Sequence, residues 1–108
     1  MRPFRPLVFT LITSLALLLA RPAAADSIDG HWCTERGMRL SISGPSIVTP
    51  GGARMQGEYG RHDFAYDAPP GEPGGGGRVV MRLRGEDLMQ VQAAGLDPLW
   101  RRCGPATS

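Results

Sequence analysis

Apolar and polar residues alternate along several short segments of this chain, and turn-forming residues separate the segments. In the clearest case, Met38, Leu40 and Ile42 alternate with polar neighbours. Because successive residues of a strand point to opposite faces of a sheet, this period of two predicts strands with one buried face. The other alternating segments are 54–59, 63–67 and 79–84, and further short strands are predicted at 30–35, 46–49, 87–93 and 99–103.

Turn signals such as Gly44-Pro45 recur about every eight to twelve residues between these segments. Seven or eight short strands joined in this way are typical of an antiparallel up-and-down meander. The segment 88–96 also has the composition of a helix, but Met89 and Val91 alternate with polar residues and favour a strand. We therefore expect an all-β fold, a small barrel whose first and last strands are adjacent.

Each end of the strand-forming region combines a tryptophan with a cysteine. Trp32 directly precedes Cys33, and Trp100 lies three residues before Cys103. The chain has two cysteines, so none is left over if they pair with each other. A disulfide that closes such a long loop stabilises the fold by about 4 kcal/mol in the chain-entropy model. We predict a Cys33–Cys103 disulfide, with two separate thiols or two metal ligands as the alternative.

Strand parity assigns these residues to faces. Trp32 and Cys33 point to opposite sides of the first strand, and Trp100 and Cys103 point to opposite sides of the last. If both tryptophans face the core, both cysteines lie on the outer surface. Arg102 then shares the inner face with Trp100.

The two ends resemble the pattern of the calycins, a group that includes lipocalins, avidins and some bacterial inhibitor barrels. The resemblance rests on Gly30-x-Trp32 in the first strand and on Arg101 or Arg102 in the last. It implies that Trp32 closes one barrel end and that Arg102 packs across its ring, a cation–π contact of about 1–2 kcal/mol. Disulfide-linked barrels that inhibit secreted lysozymes and proteases are similar in size, whereas lipocalins and avidins are longer.

The N-terminal segment 1–25 has the three-part layout of a secretory signal. Arg2 and Arg5 precede an apolar run at 7–20, and small residues then allow cleavage before Asp26. The run is shorter than the ~20 apolar residues that a membrane-spanning helix needs. We predict a cleaved leader at 1–25, a single domain at 26–108, a periplasmic or secreted location, and no membrane contact of the mature form.

The leader carries much of the positive charge. The formal net charge of the whole chain is +2, but without the leader nine of the twelve arginines would face ten carboxylates. Nucleic-acid binding through a strong basic excess is therefore not expected. Lysine is absent, which excludes lysine Schiff bases, and no Ser-His-Asp or paired-carboxylate motif stands out. We expect no cofactor and no enzymatic activity.

His62, Phe64 and Tyr66 are the candidate binding residues, because they share one face of a predicted strand. Asp63 follows His62 but points to the opposite face, so it cannot orient the imidazole as the acid of a triad would. His31 and His62 lack a metal-ligand spacing, and the methionines fit a small core better than a copper site. No metal is therefore expected.

Three functions remain open at this stage. The leading hypothesis is a non-enzymatic barrel that binds a secreted or periplasmic protein, in the manner of an inhibitor. The alternatives are a carrier barrel with a shallow pocket at Phe64 and Tyr66, and a hydrolase that uses His62.

Overall fold

The computed structural model describes residues 27–104, which form one antiparallel sheet of nine strands coiled into a nearly closed barrel. The strands are β1 (Gly30–Cys33), β2 (Arg39–Ser43), β3 (Ser46–Val48), β4 (Arg54–Gln56), β5 (Glu58–Gly60), β6 (Asp63–Asp67), β7 (Arg78–Leu83), β8 (Leu88–Gln92) and β9 (Leu99–Arg102). Their order in the sheet is β4-β3-β2-β1-β9-β8-β7-β6-β5. The predicted all-β meander with adjacent first and last strands is confirmed.

One predicted strand, 54–59, is divided at Gly57, which raises the number of strands to nine. Its first half, β4, pairs with β3, and its second half, β5, pairs with β6, so one length of chain forms both edges of the sheet. A Cβ atom at Gly57 would lie 2.5 Å from Cε1 of Phe64 and 2.6 Å from the carbonyl oxygen of Ala65. Only glycine fits beneath the Phe64 ring, and this close packing brings the edges of the barrel together.

The barrel interior is filled by the inward-facing side chains of the strands. In β6, for example, Phe64 and Tyr66 are buried while Asp63 and Asp67 are exposed. Complete burial of a large apolar side chain stabilises the fold by about 1.5–3 kcal/mol. The buried apolar set within the described residues comprises Ile28, Trp32, Leu40, Ile42, Ile47, Phe64, Tyr66, Ala68, Val79, Met81, Met89, Val91, Leu96 and Trp100.

The segment with mixed helix and strand character is a strand, β8, over Leu88–Gln92. Met89 and Val91 are its buried residues, and β8 pairs with β7 on one side and β9 on the other. The residues that follow, 93–98, form the connection to β9. Alternation therefore identified the element correctly where composition was ambiguous.

The two ends of the barrel have different connections. We call one the Arg102 end; it comprises segments 27–29, 44–45, 61–62 and 84–87 and the side chain of Arg102. We call the other the loop end; it comprises the connections 34–38, 49–53, 68–77 and 93–98. Each end contains one buried tryptophan. The indole N–H of Trp32 donates to the Ile28 carbonyl at 3.0 Å, and that of Trp100 donates to the Asp97 carbonyl at 2.7 Å.

The predicted leader at 1–25 and its cleavage point lie outside the described residues, as do residues 105–108. Within 27–104, the chain has no helix of the length and apolar character needed to cross a membrane.

Candidate functional site

The predicted disulfide is present and joins Cys33 to Cys103, whose Cα atoms are 5.0 Å apart. It connects strands that already pair: Cys33 lies opposite Arg101, and the backbone N–H of Cys103 donates to the His31 carbonyl at 3.0 Å. Both cysteines are partly exposed. Because the bridge joins strands that already pair and is partly exposed, it adds few contacts to the folded state. The disulfide stabilises the fold by about 4 kcal/mol, mainly because it restricts the unfolded chain.

Arg102 covers Trp32 at the Arg102 end. The two residues are register partners in β9 and β1, and the guanidinium carbon lies 4.4 Å from the centroid of the Trp32 ring. The same guanidinium donates to the backbone oxygens of Ser27, Asp29 and Glu86, at 2.8, 2.8 and 2.5 Å. This is the contact that strand parity and the calycin resemblance predict. The cation ties two backbone segments, 27–29 and 84–87, to β9, which gives it a structural role.

The Asp29 carboxylate links β5 to segment 27–29 at the Arg102 end. It accepts hydrogen bonds from the Tyr59 hydroxyl at 2.6 Å, the Gly44 N–H at 2.6 Å and the Ser27 hydroxyl at 3.0 Å. Burial raises the pKa of Asp29, but these hydrogen bonds together outweigh it and lower the pKa below the usual 3.8. The ionised carboxylate is therefore part of the closure of this end.

The three candidate binding residues do not meet on one accessible surface. His62 is exposed in the turn between β5 and β6, whereas Phe64 and Tyr66 are each 1% exposed in the core. The Phe64 and Tyr66 rings pack against each other with centroids 6.3 Å apart. Burial, and then the nearby charge of Glu72, raises the pKa of Tyr66 to about 12. Phe64 and Tyr66 are thus part of the packing that fills the barrel.

The two histidines lie on different elements. His31 lies on β1, and His62 lies in the turn beyond β5. Among residues 27–104, no group of three or more His, Cys, Asp or Glu side chains is arranged to hold a metal ion. Asp63 is exposed and begins β6, directly after His62.

Glu72 fastens the connections of the loop end. Its carboxylate accepts hydrogen bonds from the Thr49 hydroxyl at 3.0 Å and the Gly51 N–H at 3.1 Å, and its carbonyl accepts one from Gly75 at 2.7 Å. The sequence predicts a flexible hairpin loop at 69–77 from its four successive glycines. The structure shows a hairpin connection that is folded on itself and tied to its neighbour by one carboxylate.

The best candidate site is a groove on the outer surface beside the disulfide, which we call the disulfide groove. It has a volume of about 490 Å³ and is lined by 33–36, 97–99 and 101–104. Leu99 is 55% exposed on its wall, and the exposed Arg101 lies on the same strand. Its lining therefore combines the covalently fixed disulfide, the apolar surface of Leu99, the cationic Arg36 and Arg101, and the acidic Glu35 and Asp97.

Leu99 is on the groove because of strand parity. Trp100 points into the core, so its neighbour Leu99 points outward, opposite Gln90 of β8. Leu99 and Tyr59 are the exposed large hydrophobic residues among those described. Strand parity identifies Leu99 as outward-facing from its place beside Trp100, but parity does not tell whether neighbouring segments cover an outward side chain.

In comparisons with known proteins, the chain matches no family model, no curated protein and no solved structure. The groove itself has the chemistry of a contact surface. Arginine is enriched at protein interfaces, and an apolar anchor surrounded by polar groups is the usual arrangement of an interface core.

Proposed function

We propose that this chain is an exported, non-enzymatic, calycin-like barrel that binds another protein through the disulfide groove, as small inhibitor barrels do. The observation that carries the proposal is the 55% exposure of Leu99 on the groove wall. Full burial of a leucine side chain contributes about 1.5–3 kcal/mol, and covering the exposed 55% of Leu99 contributes roughly half of that. Leu99 therefore acts as the apolar anchor of the interface.

The rigidity of the groove favours binding, because association must overcome the entropy of ordering both surfaces. The disulfide joins β1 to β9 at the floor, and β9 is paired on its other side with β8. Leu99 belongs to this paired strand and not to a loop. The anchor therefore needs little further ordering when a partner arrives.

The charges around the groove indicate the chemistry of the partner. Arg36 contacts Asp97 at 3.3 Å, yet the Arg36 side chain is 75% exposed. The Asp97 side chain is 16% exposed, but the solvated Arg36 side chain keeps the ion pair weak, about 0–1 kcal/mol, so Arg36 can turn to another carboxylate at little cost. Together with the exposed Arg101, it suits a partner segment that offers an apolar side chain next to an acidic one.

Export is the part of the proposal that depends on the leader. Disulfides persist in oxidising compartments such as the periplasm and the extracellular space. The Cys33–Cys103 bridge supports such a location, and the predicted leader at 1–25 provides a route to it. The partner is accordingly a secreted or periplasmic protein.

The test places a photo-crosslinking amino acid, benzoylphenylalanine, at position 99 in the full chain expressed in its producing cells. Val80 provides the control position, since it faces outward on β7, between Ala65 and Gln92 in the register and away from the groove. We expect one defined adduct from position 99 and none from position 80. The adduct is identified by mass spectrometry.

The inhibitor-like function is then measured on the identified partner. If the partner is an enzyme, a stoichiometric amount of the purified barrel should lower its activity, and Leu99→Glu should not. The same adduct from positions 80 and 99, or no adduct from position 99, would contradict binding through the disulfide groove. Full inhibition by Leu99→Glu would contradict the anchor role of Leu99.

A further inference from the structure

A second concave site lies on the outer face of β1–β4 and has a different chemistry. We call it the serine cleft. It has a volume of about 690 Å³ and lies on the other side of β1 from β9. The polar residues of its lining are His31, Ser41, Ser43, Ser46, Arg54 and Gln56. The lining contains no carboxylate and no aromatic ring other than the imidazole.

These side chains form two rows that run across the strands. Strand register places Ser43, Ser46 and Gln56 side by side on β2, β3 and β4. A parallel row runs from His31 through Ser41 to Arg54, with Val48 between the last two. Neighbouring strands are about 4.8 Å apart, so the first row presents a polar group at that interval, and the second row does so except at Val48. This interval is close to the length of one pyranose unit in an extended saccharide.

Hydrogen bonds within the rows hold some of these groups in position. The His31 ring nitrogen Nδ1 and the Ser41 hydroxyl are 2.6 Å apart, and Gln56 Nε2 donates to the Ser46 hydroxyl at 3.2 Å. A serine hydroxyl offers one donor and two acceptor positions, and an amide offers two donors and an acceptor. Each row therefore keeps donors and acceptors available after its internal bonds are made, as the vicinal hydroxyls of a sugar require.

The charge around the cleft selects an anionic ligand. Arg54 is the cationic residue in the lining, and its planar guanidinium matches a carboxylate or sulfate with two hydrogen bonds. Acids outside the cleft have other partners: Asp29 accepts from Tyr59 and Gly44, Glu58 lies 2.6 Å from Arg78, and Glu72 accepts from Thr49 and Gly51. No acid therefore competes for Arg54 from within the cleft.

The same lining argues against two other uses. Single-stranded nucleic acids need aromatic platforms for their bases, and the cleft offers none. The His31–Ser41 pair resembles a base and nucleophile, but no acidic side chain in the lining orients the imidazole. Reversible binding is the chemistry that remains.

We infer that the serine cleft binds an anionic saccharide, with Arg54 on its acidic group and the two rows of side chains on its hydroxyls. This site is separate from the disulfide groove and does not depend on the proposed protein partner. An extended saccharide would lie along the rows, perpendicular to the strands.

The probe is tetragalacturonate, a linear saccharide with one carboxylate per sugar, titrated into the isotopically labelled protein and followed by amide NMR shifts. We expect saturable shifts confined to β1–β4. The matched neutral probe is the methyl-esterified tetramer, which keeps the rings and their hydroxyls but loses the charge, and it should bind at least about tenfold more weakly. Inorganic phosphate provides a third arm.

Two arginine variants with the same change of charge complete the test. Arg54→Gln should weaken tetragalacturonate binding about tenfold, whereas Arg82→Gln, on the outer face of β7, should leave it within about twofold. Equal binding of the esterified probe, equal effects of the two variants, or no shifts with tetragalacturonate would overturn the inference. Matching shifts with phosphate alone, at equal affinity, would show an anion site and would overturn the saccharide assignment.

Discussion

The two ends of the barrel contain the same kinds of residue but use them differently. Each has a buried tryptophan whose indole donates to a backbone carbonyl. At the Arg102 end, the arginine is held by the Trp32 ring and by three carbonyl oxygens. Near the loop end, Arg36 reaches Asp97 but remains 75% exposed. A cation with several fixed partners stabilises the fold, and an exposed cation with a single partner is available to another molecule.

The exposed hydrophobic residues show the same contrast. Tyr59 is 39% exposed, but its hydroxyl donates to Asp29 and its ring packs edge-on against Phe64. Leu99 is 55% exposed on the outer side of β9. Tyr59 closes the barrel, while Leu99 faces the disulfide groove. Exposure alone therefore does not identify a binding residue; the contacts of the exposed group decide.

Removal of the disulfide should have the largest effect on stability. The double variant Cys33→Ser, Cys103→Ser should lose about 4 kcal/mol of unfolding free energy, because its unfolded chain is no longer restricted. Urea denaturation at neutral pH measures the loss. A loss below about 1 kcal/mol would show that the bridge contributes little to the fold.

The next largest loss of stability should come from replacing Arg102, whereas replacing Arg36 should cost little. Arg102→Met should cost about 3 kcal/mol, since it leaves three backbone carbonyls without their donor and removes the cation–π contact. Arg36→Met is the matched control at the other end and should cost under about 0.5 kcal/mol. Thermal denaturation of both variants tests this, and equal losses would remove the contrast between a held cation and an available one.

At the loop end, Glu72→Ala should cost about 1–2 kcal/mol, because the Thr49 hydroxyl and the Gly51 N–H lose a charged acceptor. Glu35→Ala, an exposed acid of the same end, is the control and should change little. Amide hydrogen exchange should become faster at 49–53 and 68–77 in the first variant. Unchanged exchange there would mean that the hydrogen bonds of Glu72 do not hold the glycine-rich connection in place.

The smallest effect is the pH dependence due to Asp29. Its folded pKa lies below the unfolded value of 3.8, so its contribution is complete above 3.8 and is lost as the pH falls through the folded pKa. Unfolding free energies measured from pH 6 down to pH 2 should fall less steeply in Asp29→Asn than in the parent protein. A parallel pair of curves would contradict the role of the ionised carboxylate at the Arg102 end.

The sequence predicts the Arg102 end better than the groove, for a physical reason. Alternation and the paired tryptophan and cysteine ends depend on strand parity, which is a local rule and reaches both Trp32 and Arg102. The division of the predicted strand at Gly57 depends on the Phe64 ring of the neighbouring strand β6. The hydrogen bond between Thr49 and Glu72 joins residues 23 positions apart in the chain. Parity also predicts that Phe64 and Tyr66 face inward, but it does not predict whether the barrel interior leaves room for a ligand.

The central claim is that Leu99 binds a partner while Tyr59 supports the fold. The direct measurement determines two quantities for the Leu99→Ser and Tyr59→Ser variants. One is the dissociation constant for the crosslinked partner, and the other is the free energy of unfolding. We predict that Leu99→Ser weakens binding at least about tenfold and changes stability by less than about 0.5 kcal/mol. Tyr59→Ser should lower stability and leave binding within about twofold. Unchanged binding by Leu99→Ser, or weakened binding by Tyr59→Ser, would contradict the claim.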